Sequence, residues 1–400
     1  MIERVLERLH TVPHALSRDA GSVAGVPGKT SDGEYGGGNS GGHVGTGMLS
    51  GGSVECILSM GYKPDRFRQA YPDGIISDVK VSYAIEPEPL GTGGAIRFAA
   101  AHGRVDRTFV VMNGDVLGGP DIGDLLSFHF ANRRHGALAT IGLVAVEDPS
   151  RFGVVVMDAS GQVQRFVEKP PQGQSPSRLV NSGVYIMEPE VLDMIPGDRM
   201  VSIERETFPA LAGMGALYAY ASHDYWLDAG TPEAYIQANM DYLSRYYPAV
   251  LSPAGSSGTT GPGEPWGSGG NEVPAAGGVS PLQGARRMAE GVWVTGNPTI
   301  NGKVQPPSLV LDGSMIESGA EVSYAVIGNG CFVGAGCRVE RSVVMDGSKI
   351  MQGSLVSDSV LAENVEVGAG SRVSDWSVVG DGYIVTPGSV LHHARIPELR

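Results

Sequence analysis

Residues 316–344 read IESGAEVSYAVIGNGCFVGAGCRVERSVV, and the aliphatic side chains in this stretch return every 17 residues. Each 17-residue unit holds three apolar positions separated by glycine-rich corners such as IGNG and VGAG. This pattern is typical of a three-sided parallel β-helix, in which each coil stacks its apolar residues on those of the next coil. The predicted inward columns are Ile316, Val333, Ile350, Val367 and Ile384; Val322, Val339, Val356, Val373 and Val390; and Ile327, Val344, Leu361 and Val378. Hexapeptide-repeat proteins are usually left-handed, so we expect a left-handed β-helix over residues 286–400.

Two stretches upstream are dominated by small and polar residues. Residues 248–285 are rich in glycine, proline and serine and are predicted to be a linker. Residues 19–53 cannot bury enough apolar area to offset their ordering entropy, so we predict a flexible insertion. The Gly28-Lys29-Thr30 sequence lies in that insertion without a leading strand, which argues against a phosphate-binding loop there.

Between these stretches, apolar strand patterns alternate with helix patterns. The predicted strands are residues 54–60, 79–85, 107–115, 137–146, 153–158, 182–187 and 216–221, and the predicted helices are residues 93–102, 121–135 and 231–247. Such alternation favours an α/β domain with a Rossmann-like, mixed or mostly parallel sheet covered by helices on both faces. We therefore predict an α/β domain over residues 1–247, which includes the insertion.

Two aspartates follow predicted strands at positions where α/β sheets bind ligands. Asp115 ends the sequence NGD after the strand TFVVM, and Asp228 lies in YWLDAGTP. Thr231 is expected to cap the following helix, which would leave Asp228 available. Paired carboxylates at the carboxyl ends of strands suit a magnesium ion that is shared with phosphate groups. An Asx turn or helix cap is an equally good interpretation of NGD by itself.

Three further segments carry polar groups next to turns. The run EPEPLGTGGAI begins at Glu86, where the glycines allow close backbone approach and the helix start offers free N–H groups to a base or ribose. Glu168 and Lys169 could serve a sugar and its phosphate, although a surface ion pair explains them equally. Asn181 precedes a strand and could bond a sugar, and Gly153 would allow close approach of that sugar.

The order of these motifs resembles a known family. The segments PLGTGGAI, NGDVL, RFGVVV, FVEKP, NSGVYIM, SIERETFP and YWLDAGTPEAY are similar to the sugar-1-phosphate nucleotidyltransferases, especially bacterial mannose-1-phosphate guanylyltransferases with a C-terminal hexapeptide β-helix. The resemblance implies transfer of a nucleotidyl group from GTP to mannose 1-phosphate, which yields GDP-mannose and pyrophosphate. It covers residues 54–245 and 285–390.

The same resemblance assigns roles to the candidate residues. It implies that Asp115 and Asp228 hold Mg²⁺, and that Lys169 contacts the sugar phosphate and takes part in catalysis with the two aspartates. The remaining implied contacts are Glu86, Leu90, Gly91, Thr92 and Asp115 to the nucleotide, and Gly153, Glu168 and Asn181 with Lys169 to the sugar phosphate.

One family signature does not occur in these 400 residues. Sequences of the family begin with a strand, a loop of the form GGxGTRLxPLT and a PKP segment, which together bind the triphosphate. Their absence predicts weak nucleotidyl transfer, because the reaction depends on neutralising charge at the transferring phosphate. Two hypotheses remain open: a start downstream of the true one, or a degenerate relative that binds sugar nucleotides as a non-catalytic regulatory protein. An acyltransferase role for the β-helix is a weaker alternative.

The composition excludes several classes of protein. A net charge of −14 argues against a nucleic-acid surface. Three cysteines are too few for a disulfide scaffold and are predicted to be buried thiols. No segment looks like a signal peptide or a membrane span, so we expect a cytoplasmic protein without a membrane partner. The flat faces of a β-helix predict assembly as a homo-oligomer.

Overall fold

The computed structural model describes residues 55–61, 64–76, 79–250 and 285–397. The predicted insertion and almost all of the predicted linker lie outside the described residues. The described residues form two compact units, which divide between Trp226 and Leu227. The sequence places the domain boundary further along, after residue 247.

The first unit is an α/β domain. Its strands are β1 (Glu55–Met60), β2 (Ile75–Ile76), β3 (Val79–Ile85), β4 (Phe109–Met112), β5 (Val116–Gly118), β6 (Ala139–Ala145), β7 (Gly153–Met157), β8 (Val163–Glu168), β9 (Leu179–Met187) and β10 (Leu217–Ser222). Its helices are α1 (Pro64–Ala70), α2 (Gly91–Gly103), α3 (Ile122–Arg133), α4 (Glu190–Asp193) and α5 (Phe208–Gly213). A short strand, β11 (Trp226–Asp228), spans the division between the units.

The strands of this unit form two principal sheets. In the smaller sheet, β3 pairs in parallel with β1 and antiparallel with β2. The larger sheet has the order β10-β6-β9-β7-β8, and β4 also pairs with β9. β10 is parallel to β6, whereas β9 is antiparallel to β4, β6 and β7. The prediction of a mixed α/β sheet is thus confirmed, and no strand among the described residues joins the two sheets.

Helices cover both faces of the sheets. On one face, Ile122 and Leu125 of α3 pack with Val81 of β3 and Val184 of β9, so one helix buries parts of both sheets. On the opposite face, Ala99 and Ala100 of α2 pack against β3. This two-sided burial explains why the strands are nearly continuous apolar runs in the sequence.

A polar cluster is buried where α3 crosses β6 and the end of β9. His129 is fully buried, and its ring nitrogens lie 2.8 Å from Thr140 Oγ1 and 3.0 Å from Glu188 Oε1. Thr108 donates to the same carboxylate oxygen, and the exposed Arg133 guanidinium lies 3.1 Å from the other oxygen. Burial lowers the pKa of His129, and the nearby Glu188 partly opposes that effect.

We expect this histidine to make folding stability sensitive to acid. Since burial lowers the His129 pKa below its ordinary value of 6.5, the unfolded chain binds the proton more readily than the folded chain. The contribution is therefore complete above that value and is lost as the pH falls through the folded pKa. Urea unfolding between pH 7.5 and about 5 should show a shallower pH dependence for His129→Gln than for the unchanged chain. An unchanged slope would contradict this, and His102→Gln, at an exposed position, is the control.

The second unit contains a helix and a parallel β-helix. Helix α6 spans Pro232–Val250. One face of the β-helix is built from β14 (Thr299–Ile300), β16 (Met315–Ile316), β18 (Phe332–Val333), β20 (Lys349–Ile350), β23 (Glu366–Val367) and β26 (Ile384–Val385). The other faces contain β12 (Arg286–Ala289), β13 (Val292–Val294), β15 (Lys303–Val310), β17 (Glu321–Ile327), β19 (Arg338–Val344), β21 (Leu355–Ser357), β22 (Val360–Leu361), β24 (Arg372–Ser374), β25 (Val378–Val379), β27 (Val390–His392) and β28 (Arg395–Ile396).

The predicted apolar columns are confirmed in every coil before the last. Ile316, Val333, Ile350 and Val367 are fully buried and pair in register from coil to coil, as do the other two columns. Cys331 and Cys337 are also buried, as predicted, and are free thiols. Cys331 lies at a corner where the neighbouring coils carry Ser314 and Ser348, and its N–H donates to Ser314 Oγ.

The prediction is wrong in the last coil. Val367 pairs with Val385 rather than Ile384, and Ile384 is 62% exposed while Val385 is 2% exposed. By the same shift, Val379 and Leu391 occupy the columns in place of Val378 and Val390.

The cause is a single inserted residue at a corner. Tyr324, Arg341 and Asp358 each supply one left-handed residue at this corner, whereas the last coil supplies both Asp375 and Trp376. The extra residue is accommodated because Trp376 is also left-handed. The Trp376 N–H donates to the Asp358 carbonyl at 2.7 Å, so the corner remains bonded to the preceding coil. Every residue after Trp376 is therefore displaced by one position from the 17-residue spacing.

A pair of alanine substitutions tests this register. Val385→Ala deletes buried methyl groups and should lower the free energy of unfolding by about 2 kcal/mol, from lost transfer energy and the cavity left behind. Ile384→Ala removes a larger but exposed side chain and should change it by less than about 0.5 kcal/mol. Chemical unfolding followed by circular dichroism measures both values, and the reverse order would contradict the shifted register.

Helix α6 packs on an outer face of the β-helix. Ile236, Met240 and Leu243 are buried against Trp293 and Leu309. The helix begins as predicted, because the Ala234 N–H donates to Thr231 Oγ1. This apolar stripe accounts for the helix pattern in the sequence. No helix among the described residues is long and apolar enough to cross a membrane.

Candidate functional site

The loop that follows β3 is braced by Glu86. Its Oε1 accepts from Ser59 Oγ at 2.9 Å, and its Oε2 accepts from the Leu90 N–H at 3.1 Å, one residue before α2 begins. Both carboxylate oxygens therefore have partners inside the protein. A contact from Glu86 to guanine stays a prediction, and it would have to use the remaining lone pairs.

The NGD segment follows β4 and lies on β9. The Asn113 N–H donates to the Gly183 carbonyl at 2.8 Å. Gly183 has a φ of +76°, and a Cβ there would lie 2.8 Å from Asn113 Nδ2, so only glycine leaves room for that side chain. Two residues further on, Asp115 is exposed at the carboxyl end of β4, as the sequence analysis predicts.

The EKP segment is held beside β7. Gly153 pairs with Glu168, and a Cβ on Gly153 would lie 2.6 Å from the Phe166 ring and 2.9 Å from Glu168 Oε2. This glycine therefore makes space for protein side chains, which the sequence analysis does not foresee. Lys169 has a φ of +49°, an uncommon conformation for a residue that precedes proline, and its Nζ lies 3.6 Å from Glu168 Oε1. Such strain is often found at functional sites.

Asn181 is engaged with its own strand. Its Nδ2 donates to the Tyr185 hydroxyl at 2.8 Å, and its Oδ1 accepts from the Gly183 N–H at 2.9 Å. These bonds orient the amide, while its half-buried position leaves part of it accessible. The sugar contact predicted for Asn181 stays a prediction.

Tyr225 and Trp226 connect three of the motifs. The Gly119 N–H donates to the Tyr225 carbonyl at 2.7 Å, beside the NGD segment. The Trp226 indole donates to the Ser182 carbonyl at 2.9 Å, and its ring meets Phe152 edge-on with centroids 5.1 Å apart. Segments that are distant in sequence thus meet at one place in the first unit.

The charges around Tyr185 are mainly negative. Burial raises the pKa of Tyr185, and the charges of Glu204, Glu168 and Asp115 raise it further, against the lowering effect of its bond to Asn181. Burial also raises the pKa of Glu168, as does Glu204, while Lys169 and Arg205 lower it. Lys169 and Arg205 are thus the cations, and Glu204, Glu168 and Asp115 the anions, whose charges act on this region.

The two predicted metal ligands, Asp115 and Asp228, are both carboxylates. No group of three or more His, Cys, Asp or Glu side chains is arranged to hold a metal within the described parts of the chain. Mg²⁺ commonly takes one or two carboxylates and completes its shell with water and substrate phosphates, so the carboxylate of Asp115 and that of Asp228 are each a suitable donor, and the magnesium site stays a prediction. The prediction that Asp228 is left available is only partly right, because its Oδ1 accepts a hydrogen bond from the Gly230 N–H at 2.8 Å. Asp228 belongs to the second unit, unlike the other candidate residues.

Known proteins share both parts of the chain. Residues 46–245 match the family described as Nucleotidyl transferase, and residues 304–398 match the GMPPB C-terminal domain. A mannose-1-phosphate guanylyltransferase of Mycobacterium tuberculosis is 34% identical over 75% of this chain and 74% of its own length. The chain belongs to the nucleotidyltransferase family. The chain spans a smaller share, 58%, of a similar mannose-1-phosphate guanyltransferase of Schizosaccharomyces pombe, again with 34% identity.

One solved structure resembles part of this nucleotidyltransferase. HddC from Yersinia pseudotuberculosis is 31% identical and covers 47% of this chain and 78% of its own, with a TM-score of 0.40.

Several residues of the site are missed by sequence reasoning. Gly118, Gly183 and Trp226 matter through close approach or a ring contact, for which the sequence alone gives no signal. Gly183, Trp226 and Glu204 lie in the segments NSGVYIM, YWLDAGTPEAY and SIERETFP of the family pattern, but the resemblance gives these three residues no role. The position of Glu204 beside Thr92 is seen only in the structure.

Gly118 offers a direct test of the close approach to Tyr225. Gly118 has a φ of +75° and a Cβ there would lie 1.9 Å from the Tyr225 carbonyl oxygen, whereas Gly136 has a φ of +91° with no atom within 4 Å of its Cβ position. Gly118→Ala should therefore lower the free energy of unfolding by about 3 kcal/mol, and Gly136→Ala by about 1 kcal/mol from backbone strain alone. Equal losses in urea titrations would show that the Tyr225 approach is not a constraint.

Proposed function

We propose that this chain transfers a guanylyl group from GTP to mannose 1-phosphate, releasing pyrophosphate and forming GDP-mannose. The observations that support the proposal are pairwise links between the segments: NGD bonds to NSG, and the LGT loop bonds to Glu204, whose turn contacts the strand that leads into EKP. The 34% identity to a named mannose-1-phosphate guanylyltransferase over most of both chains supports the choice of substrates.

The reaction is an in-line substitution at phosphorus. A phosphate oxygen of the sugar phosphate forms a bond to the α-phosphorus of GTP, and the bond from that phosphorus to the pyrophosphate oxygen breaks. Positioning and charge neutralisation supply most of the catalysis in such transfers. Bound Mg²⁺, for which Asp115 and Asp228 are the proposed ligands, supplies part of that neutralisation.

Lys169 and Glu168 receive separate tasks in this proposal. The Lys169 side chain is 60% exposed and only 3.6 Å from Glu168 Oε1, so it can reach the phosphate of a bound sugar without leaving a buried ion pair. Glu168 is half-buried, and its carboxylate can accept hydrogen bonds from sugar hydroxyls. Glu86, Leu90, Gly91 and Thr92 would border the base and Asn181 the sugar, while Gly153 would act indirectly by leaving room for Phe166 and Glu168.

A turnover assay tests the proposal. The chain is mixed with GTP, mannose 1-phosphate and MgCl₂, and GDP-mannose and pyrophosphate are measured; turnover should stop on chelation and return with added Mg²⁺. Asp115→Asn and Lys169→Met should each lower kcat about 10²-fold, because each removes a charge at the reacting phosphates. Arg165→Met, on the exposed side of β8, is the matched control and should leave the rate unchanged.

The other outcomes distinguish the alternatives. Faster turnover with another nucleotide or sugar phosphate would overturn the substrate choice. Calorimetric binding of GDP-mannose without turnover would contradict catalysis and favour the non-catalytic regulatory homologue. Absence of both turnover and binding would contradict the proposal as a whole.

A further inference from the structure

The segment that follows Val201 makes an unusual turn. Residues Ile203–Thr207 form one π-helical turn, and Ser202 caps it by accepting from the Arg205 N–H. Ile203 and Thr207 are buried, so the turn is anchored in the core at both ends. Single π-helical turns are rare and are often found at functional sites. Here the turn brings Glu204 to the loop at the start of α2.

Glu204 joins the turn to the base loop, the name used here for Leu90 and the first turn of α2, residues 91–94. Its Oε2 accepts from Thr92 Oγ1 at 2.6 Å and from Ser202 Oγ at 2.8 Å. Thr92 Oγ1 in turn accepts from the Ile203 N–H at 3.0 Å. The Thr92 hydroxyl therefore donates one hydrogen bond and accepts another. Its bond to the charged Glu204 carboxylate is of the kind that is stronger than a bond between neutral groups.

The backbone of the base loop follows the same segment. The Gly93 N–H donates to the Val201 carbonyl, and the Val201 N–H donates to the Leu90 carbonyl, both at 2.9 Å. Gly91 has a φ of +72°, and a Cβ there would lie 2.6 Å from the Val201 oxygen. Val201 thus holds the backbone of the base loop. Glu204 adds a charged contact that holds the Thr92 side chain.

The same carboxylate also acts on the sugar side of the site. The π-helical turn that carries Glu204 also contacts β8, the strand that ends at Glu168, and the charge of Glu204 raises the pKa of Glu168 after the larger effect of burial. Glu168 is paired with Gly153, and Tyr185 is bonded to Asn181. The turn that carries Glu204 therefore contacts both the start of α2, through Thr92, and the strand that ends at Glu168.

We infer that Glu204 is a positioning residue that fixes the base loop, through Thr92 and Ser202, relative to the sugar-phosphate half of the site. The inference rests on the proposed function for its catalytic consequence. Glu204 need not touch the nucleotide to affect nucleotide binding, because removal of its carboxylate frees the Thr92 hydroxyl and loosens the loop.

The experiment compares Glu204→Ala and Glu204→Gln with Glu206→Ala. Glu206 lies on the same turn but pairs with the exposed Arg199, so it is the matched control. Glu204→Ala should raise the KM for GTP about tenfold, with a much smaller change in the KM for mannose 1-phosphate and in Tm. Glu204→Gln retains an acceptor oxygen and should recover part of the loss. A GTP KM within about twofold of the unchanged chain, or an equal rise in Glu206→Ala, would overturn the inference.

Hydrogen exchange gives a readout that needs no substrate. Amide exchange across residues 88–98 should speed up in Glu204→Ala and not in Glu206→Ala. Unchanged exchange would overturn the inference whatever the kinetics show. If the unchanged chain neither binds nor turns over GTP, the proposed function fails, while the exchange result still decides whether Glu204 holds the loop. Thr92→Val carries the same tests if Glu204→Ala does not fold.

Discussion

The pairing of β9 with three other strands is the constraint on which the α/β unit depends. This strand is antiparallel to β4, β6 and β7, and nearly all of its residues are buried. Its left-handed Gly183 lies beneath Asn113, and its Tyr185 hydroxyl accepts from Asn181. A change of register in β9 would therefore displace the NGD and NSG segments together, because a one-residue slip reverses the direction of every side chain.

Glycines serve the site mainly by letting protein approach protein. Gly118 admits the Tyr225 carbonyl, Gly153 admits Phe166 and Glu168, and Gly183 admits Asn113. A glycine near a ligand site is readily interpreted as room for the ligand, as it is for Gly153 in the sequence analysis. In this chain the space is filled by protein atoms, which hold neighbouring side chains such as Asn113 and Glu168 in place without a ligand.

The sequence predicts the fold better than the contacts of the site. The strands and helices around β4, β6 and β9 follow from apolar patterning, because burial on both faces leaves a clear signal. The ordered motifs also locate Asp115, Glu168, Lys169 and Asn181. What the sequence does not predict is that these groups already have hydrogen-bond partners inside the protein. Ser59, which donates to Glu86, lies 27 residues away along the chain, and a bond over that separation leaves no local pattern.

Trp376 shows how a coiled array accommodates a change in its length. One residue is added at a corner, a second left-handed residue absorbs it, and the coils before and after keep their pairing. Each coil touches only its neighbours, so the disturbance stays local in space although it shifts the count of every later residue. Such arrays can therefore acquire insertions at their corners during evolution without losing their cores, and a fixed sequence period underestimates how far the repeat extends.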